Sequence, residues 1–308
     1  MANITAKDVA ALRAKTGIGM MECKKALVEA DGDFDAAIKI LRERGLAVAA
    51  KKADRIAADG IVDILSENGK TAMIEVNTET DFVAKNETFK AFVKDILKTI
   101  IANGATDVES LMAGKYLDTD LTVEAKLQEM IFAIGEKISI RRFVVVEGVT
   151  GTYIHGAGSI GAVIVAETDA ATAEKSEFAE MLKNVALQIA AYQVSYLNKE
   201  SVPASVLDEE KKILMSQIQN DPKNASKPAA IIEKMVVGRL GKFYEANCLT
   251  EQEYFKDDDM SVSQYVASVA KALGATVTLT AFHRYEKGEG IQKREDNFAE
   301  EIAKLTAK

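Results

Sequence analysis

The sequence predicts an α+β protein with four parts. These are an amino-terminal three-helix domain, a core of two related hairpin-plus-helix subdomains, an inserted helical hairpin and a carboxy-terminal helix. Three observations predict it. The first 45 residues read as short helices, a hairpin signal followed by an amphipathic helix occurs twice, and all three prolines fall in one segment of helical periodicity. At 308 residues the chain exceeds one typical domain.

Thr5-Ala6-Lys7-Asp8 is a capping box that starts the first helix, with Val9 and Leu12 opening an apolar stripe. Gly17, Gly32 and Gly45 are read as the stops of helices one, two and three, and Phe34, Ile38 and Leu41 give the third its inner face. So small a unit has a marginal core by itself. It is also slightly basic, with 10 lysines and arginines against 8 acids in residues 1–54, in a chain of net charge −8. Ala49 to Arg55 is expected to be a solvated linker.

Two apolar runs, Gly60–Ser66 and Thr71–Asn77, then flank Glu67-Asn68-Gly69-Lys70, and Asn-Gly between such runs is a strong hairpin signal. The next helix carries Phe89, Phe92, Val93, Ile96, Leu97 and Ile100 on one face. The order then repeats. Tyr153–Gly161 and Ala162–Ala166 form a second hairpin, followed by a helix with Phe178, Met181, Leu182, Val185 and Ile189. The spacing that aligns Phe89 with Phe178 also aligns Gly69 with Gly158, which favours a duplicated subdomain. Pro203 and Pro228 each precede a helical pattern, so Val206–Ile218 and Ile232–Leu240 read as a helical hairpin with its tip at 220–227. Self-association and a plain structural arm both remain open for it. Ser261-Val262-Ser263-Gln264 opens a helix that ends at Gly274, a strand runs from Thr276 to Tyr285, and Phe298, Ile302 and Leu305 mark a terminal amphipathic helix. The expected divisions are 1–55 for the three-helix, partner-binding domain and 56–141 for core subdomain one. Core subdomain two takes 142–193 with 237–285, the inserted helical hairpin 194–236, and the carboxy-terminal helical module 286–308.

Composition narrows the function. Aromatics are few and tryptophan is absent, which disfavours a sugar site or a base-stacking platform. A pI near 5.1 disfavours phosphate-backbone binding, so no direct nucleic acid is expected. The two cysteines, Cys23 and Cys248, form no disulfide framework or zinc motif and are read as buried thiols. With a polar start and no long apolar run, the expectation is a cytoplasmic protein without a membrane partner. Gly156-Ala157-Gly158-Ser159-Ile160-Gly161 matches G-x-G-x-x-G, but a strand follows it instead of a helix, so a hairpin turn is the better reading than a dinucleotide loop. His155 sits at that turn, and His283 in a strand alternation. Nothing specifies a nucleophile, a metal cage or a general base, and no cofactor or metal is expected.

One stretch stands apart. Asn77-Thr78-Glu79-Thr80-Asp81-Phe82-Val83-Ala84-Lys85 puts a carboxylate beside an aromatic at a strand-to-helix corner. Corners and loops on a rigid scaffold carry function disproportionately, and this pair suits pushing into a partner better than covalent chemistry. In the second copy Asp81 and Phe82 fall on Ala170 and Ala171, so the fold does not need the pair.

Leu12-Arg13, the run Thr16 to Leu27, the corner Asn77 to Ala84, Ile134-Gly135-Glu136-Lys137-Ile138 with Arg141-Arg142, and Tyr153-Ile154-His155-Gly156 together resemble the bacterial elongation factor Ts family. They occur in the family's order along nearly the whole chain. Ile18 and Glu22 replace commoner Ala and Asp, and Gly158 stands where the family often has Arg. The resemblance implies a protein that binds elongation factor Tu and promotes exchange of GDP for GTP, without covalent chemistry. It implies that Asp81 and Phe82, with Thr80 and Val83, reach the partner's G domain near its magnesium and phosphate site. It implies contacts from Arg13, Met20 and Met21 to a helix of that domain, and from His155 elsewhere on the partner. Core packing is the competing reading of the methionine pair, with one inside and one outside. The runner-up function is an adaptor that grips a GTPase or a helical partner without accelerating exchange. A nucleotide-using enzyme built on the glycine loop is the third.

Overall fold

The structure, a computed structural model, describes residues 4–222 and 227–292. These fall into two compact units. The first holds the residues up to Val145, with Gly156–Ile160 and those from Tyr285 on, and the second holds Val146–His155 and Gly161–Arg284. Mixed helix and antiparallel sheet make the fold α+β.

In the first unit, α1 (Ala6–Thr16) begins at the capping box of Thr5 and Asp8 and ends at Gly17. It is followed by α2 (Met20–Glu29) and α3 (Phe34–Lys52). Val9, Leu12, Ile18, Cys23, Ala26, Leu27, Ala37 and Leu41 form their shared core. Two expectations are corrected here. Gly45 does not stop α3, which continues to Lys52 and absorbs most of the segment read as a linker. A helical glycine costs only about 1 kcal/mol relative to alanine, and this one is buried where α3 packs on a later helix, opposite Phe132 and Gln128. Gly32 lies beyond the end of α2, closing the turn by donating its N–H to Leu27 O at 2.8 Å.

The strands β1 (Asp59–Glu67) and β2 (Lys70–Thr78) pair antiparallel in a register that sets Glu67 opposite Lys70. This leaves Asn68-Gly69 as a two-residue turn with φ of 54° and 74°, the positive pair that a type I′ hairpin requires. The chain continues through α4 (Asp81–Ala84), α5 (Glu87–Asn103), α6 (Val108–Ala113), α7 (Val123–Ile134) and β3 (Ile138–Glu147). The sheet order is β1-β2-β3. All six apolar residues expected on the inner face of α5 are buried, against Ile74, Val76, Leu127, Ile131 and others. Sequence reading missed α6, α7 and β3.

β4 (Val149–His155) and β5 (Ile160–Glu167) form the second hairpin, whose strands lie in the second unit save for Ile160 and whose turn, Gly156–Ser159, is counted with the first. The glycine pattern therefore builds a strand-to-strand turn. The expected strand limits shift, because three consecutive positive φ values at residues 156–158 end β4 at His155. Then come α8 (Ala170–Ala173) and α9 (Ser176–Ala191), which buries Phe178, Met181, Leu182, Val185 and Ile189. The spacing between Phe89 and Phe178 also separates the first residues of α4 and α8, and those of α5 and α9. The duplication read from the sequence is thus reproduced in the order hairpin, short helix, long helix.

The helical hairpin consists of α10 (Ala204–Asn220) and α11 (Ala229–Asn247), with Pro203 and Pro228 at the N-cap positions. Leu214, Ile218, Val236 and Leu240 form its seam, while Ile213, Ile231 and Val237 are exposed. The expected tip includes residues 223–226, which lie outside the described residues. The hairpin is followed by β6 (Glu253–Tyr254), β7 (Asp257–Ser261), α12 (Val262–Leu273) and β8 (Thr278–Glu286). Ser261 and Gln264 make the expected capping box of α12, and β8 joins β4 and β5 in the order β4-β5-β8. The terminal helix expected around Phe298, Ile302 and Leu305 lies outside the described residues. Among those described, no helix is long and apolar enough to cross a membrane.

Candidate functional site

The corner after β2 is built by three side chains that point in different directions. Thr80 is the N-cap of α4, with extended backbone (φ −130°, ψ 155°). Val83 is buried beneath the turn among Val76, Phe89 and their neighbours. Phe82 is 81% exposed, the most exposed large apolar side chain among the described residues. Burying such a ring is ordinarily worth about 1.5–3 kcal/mol, and this fold leaves that stabilisation unused. Asp81 sits beside it and forms an ion pair with Lys85 one turn on, at 2.6 Å. The hydrogen bond from Lys85 is the main cause that holds the Asp81 carboxyl below its ordinary range, with Lys287 adding a weaker attraction. The pair is solvent-exposed, and exposed pairs contribute ~0–1 kcal/mol. Asp81 can therefore exchange Lys85 for a cation or an N–H of a partner at little cost.

Val83 and Thr80, expected as contact residues, turn inward in the free chain. Val83 has no surface to offer, since its side chain packs into the core of the first unit. The Thr80 hydroxyl is held inward by Glu136, donating to Oε1 at 2.7 Å. Both hold the corner, and Asp81 and Phe82 are what it presents.

Sequence reasoning assigned no role to the residues that brace this corner. Glu136 Oε2 accepts from Thr78 Oγ1 and from the Thr80 N–H, each at 3.0 Å. Glu79 accepts the Lys137 N–H at 2.6 Å and pairs with Arg55 at 3.2 Å. Lys137 Nζ in turn donates to Ala53 O and Arg55 O, so the end of the three-helix region is tied to the same point. Gly135 makes the brace possible. It closes α7 in the left-handed region (φ 85°), where a side chain would be strained, and so turns the chain to set Glu136 against Thr80. The signal available in the sequence was a carboxylate directly after a helix-stopping glycine, which is weak without knowledge of what faces it.

Behind the corner lies a second charged group. Glu75 on β2 has a fully buried side chain that accepts from Arg141 (2.9 Å), Arg142 (2.6 Å), Asn77 (3.1 Å) and the Gly288 N–H (2.8 Å). Burial alone would push its carboxyl up. The hydrogen bonds from Gly288, Arg141, Asn77 and Arg142 outweigh that and hold it below the ordinary value. Arg142 also pairs with Glu289 at 3.0 Å and lies over the Tyr285 ring at 4.2 Å, fastening the segment that follows β8.

The remaining expected residues are at the surface. Arg13 is exposed on α1. Met20 and Met21 are both exposed, at 41% and 65%. The inside-outside split is therefore corrected. As the first two residues of α2 they precede its buried face, which begins at Cys23. His155 ends β4 in the second unit, exposed, with Nδ1 3.3 Å from Tyr153 Oη. The corner, Arg13 and the methionine pair belong to the first unit and His155 to the second. Cys23 and Cys248 are both buried, and burial pushes the Cys248 thiol up to about 11, as expected of an inert core thiol. Asp257, Asp258 and Asp259 cluster at the surface at the start of β7, as solvated carboxylates.

Comparison with known proteins adds a family to this geometry. The sequence profile described as "Elongation factor TS" matches residues 79–289. Among curated proteins, Elongation factor Ts of Clostridioides difficile (strain 630) is 47% identical over 99% of this chain and 99% of its own. Elongation factor Ts of Clostridium kluyveri is 46% identical over 98% of each chain. That of Syntrophotalea carbinolica is 43% identical over 98% of this chain and 99% of its own.

Proposed function

The chain belongs to the elongation factor Ts family, and we propose that it binds elongation factor Tu and drives exchange of GDP for GTP by inserting the Asp81–Phe82 corner beside the partner's magnesium and phosphate site. The observation that carries this is Phe82. A large apolar ring is held almost fully in solvent on a braced corner, in the copy of the subdomain that retains it. The second copy forms the same turn with alanines.

A GTPase holds its diphosphate through Mg²⁺ and a phosphate-binding loop. A wedge that displaces those elements removes several charge-assisted contacts together. Each ~1.4 kcal/mol of lost binding speeds release about tenfold where the release barrier follows ground-state affinity. Loss of ~4 kcal/mol would give roughly a thousandfold. Asp81 supplies a carboxylate that is ionised at neutral pH and weakly committed to Lys85. Arg13, Met20, Met21 and His155 are the further contacts in this reading, and they supply affinity that does not depend on the wedge. No bond in either protein or nucleotide is made or broken.

Coupling of this kind is reciprocal: the factor by which the chain weakens GDP binding must equal the factor by which GDP weakens chain binding. Isothermal titration of elongation factor Tu with this chain, with and without saturating GDP, tests it. Affinity that falls in GDP by the same factor as GDP affinity falls in the complex supports exchange. Equal affinity in both conditions refutes it and leaves an adaptor.

A further inference from the structure

We propose that Glu136 is a positioning residue for nucleotide exchange, setting the angle at which Asp81 and Phe82 leave the sheet; this rests on the corner acting as the wedge. The carboxylate takes three hydrogen bonds from the two threonines that precede the pair, Thr78 Oγ1, Thr80 N–H and Thr80 Oγ1, all within 3.0 Å. In those bonds it reaches only the corner, and through them it fixes the geometry of α4.

The duplicated subdomain provides an internal control. Asp169 occupies in the second copy the N-cap place that Thr80 occupies in the first. Asp169 caps α8 locally, accepting the Thr172 N–H at 3.0 Å and the Thr172 hydroxyl at 2.7 Å. Thr80 caps α4 only weakly, with Val83 N–H at 3.5 Å, because its hydroxyl is directed to Glu136. The copy without an exposed aromatic is thus self-capped. The copy that carries Phe82 is gripped from outside, by a residue at the end of α7. That helix packs on α3, with Phe132 opposite Gly45, so the grip is anchored in the part of the first unit that also bears Arg13 and the two methionines.

A brace needs hydrogen-bond geometry and not charge. Glutamine can retain it, because a threonine hydroxyl accepts as readily as it donates. Alanine removes it, and aspartate is one methylene too short. The test is stopped-flow release of fluorescent GDP from elongation factor Tu with the full chain as wild type and as Glu136→Ala, Glu136→Gln, Thr80→Val and Phe82→Ala. Amide hydrogen exchange at residues 82–85 is read on the free proteins. The expected result is a saturating release rate at least fivefold lower for Glu136→Ala, with the concentration for half-maximal effect changed less than twofold. Glu136→Gln should recover most of the rate, and Thr80→Val should fall between. Amide exchange at 82–85 should speed up in Glu136→Ala and not in Glu136→Gln. If Glu136→Ala is poorly folded, Thr80→Val and the glutamine variant carry the test. A fast Glu136→Ala beside a slow Phe82→Ala overturns the inference alone, as does a glutamine variant as slow as alanine. A Phe82→Ala protein at the wild-type rate sinks the wedge reading and this inference with it.

Discussion

Phe82 and Val83 are neighbours in the chain with opposite surroundings, and single substitutions should separate what each does. Phe82 is exposed and supports nothing beneath it, so Phe82→Ala should leave the unfolding free energy within about 0.5 kcal/mol of wild type. Val83→Ala empties a buried site and should cost about 1–2 kcal/mol by denaturant titration. Glu75 is the third informative residue. Removing it as Glu75→Ala leaves Arg141 and Arg142 without their buried partner, and a loss of about 2–3 kcal/mol is expected. Because its folded carboxyl titrates below the ordinary glutamate value of 4.5, its stabilisation is complete above that pH and is lost as pH falls through the folded value. Wild type should therefore lose stability more steeply than Glu75→Gln below pH 4.5, measured by urea melts at a series of acid pH values. Asp81 and Phe82 were legible in the sequence because an aromatic at a polar corner breaks the local pattern. Glu136 and Glu75 were not, because the partners that give them meaning lie 56–58 residues away for the first and 66, 67 and 213 for the second.

At the scale of elements, periodicity and caps recovered what is local. The Asn68-Gly69 turn, the apolar face of α5 and the capping boxes at Thr5 and Ser261 all follow from a few adjacent residues. Gly45 shows where local reading stops. Glycine is a common helix terminator, yet α3 continues through it because α7 packs across that point. A Cβ placed there would meet Phe132 Cβ at 3.6 Å and Gln128 O at 3.7 Å, which is ordinary contact. Gly45→Ala should consequently stabilise the first unit by about 0.5–1 kcal/mol through helix propensity, seen as a raised denaturation midpoint. A lowered midpoint would mean that the α3–α7 approach is tighter than this geometry gives. Element order alone could not place α7 as the support of both the three-helix bundle and the corner. That relation appears only once Lys52, Lys137 and Arg55 are seen to converge on residues 135–137 and Glu79.

Over the whole molecule, duplication followed by divergence organises the account. Two hairpin-plus-helix copies keep the same order of elements, the same spacing of their helices and the same buried helix face, which is what packing requires. They differ where packing makes no demand, at the exposed first turn of α4 and α8. The proposed site is placed there because one copy serves as the structural reference for the other. The chain belongs to the elongation factor Ts family, and in the function proposed above the corner is the means by which the partner's nucleotide is released. The most direct measurement is the saturating rate of fluorescent GDP release from elongation factor Tu with wild type and with Phe82→Ala, each at a concentration where complex formation is complete. The account predicts acceleration by wild type and at least a tenfold lower rate for Phe82→Ala while the complex still forms. A Phe82→Ala protein that releases GDP as fast as wild type would contradict it.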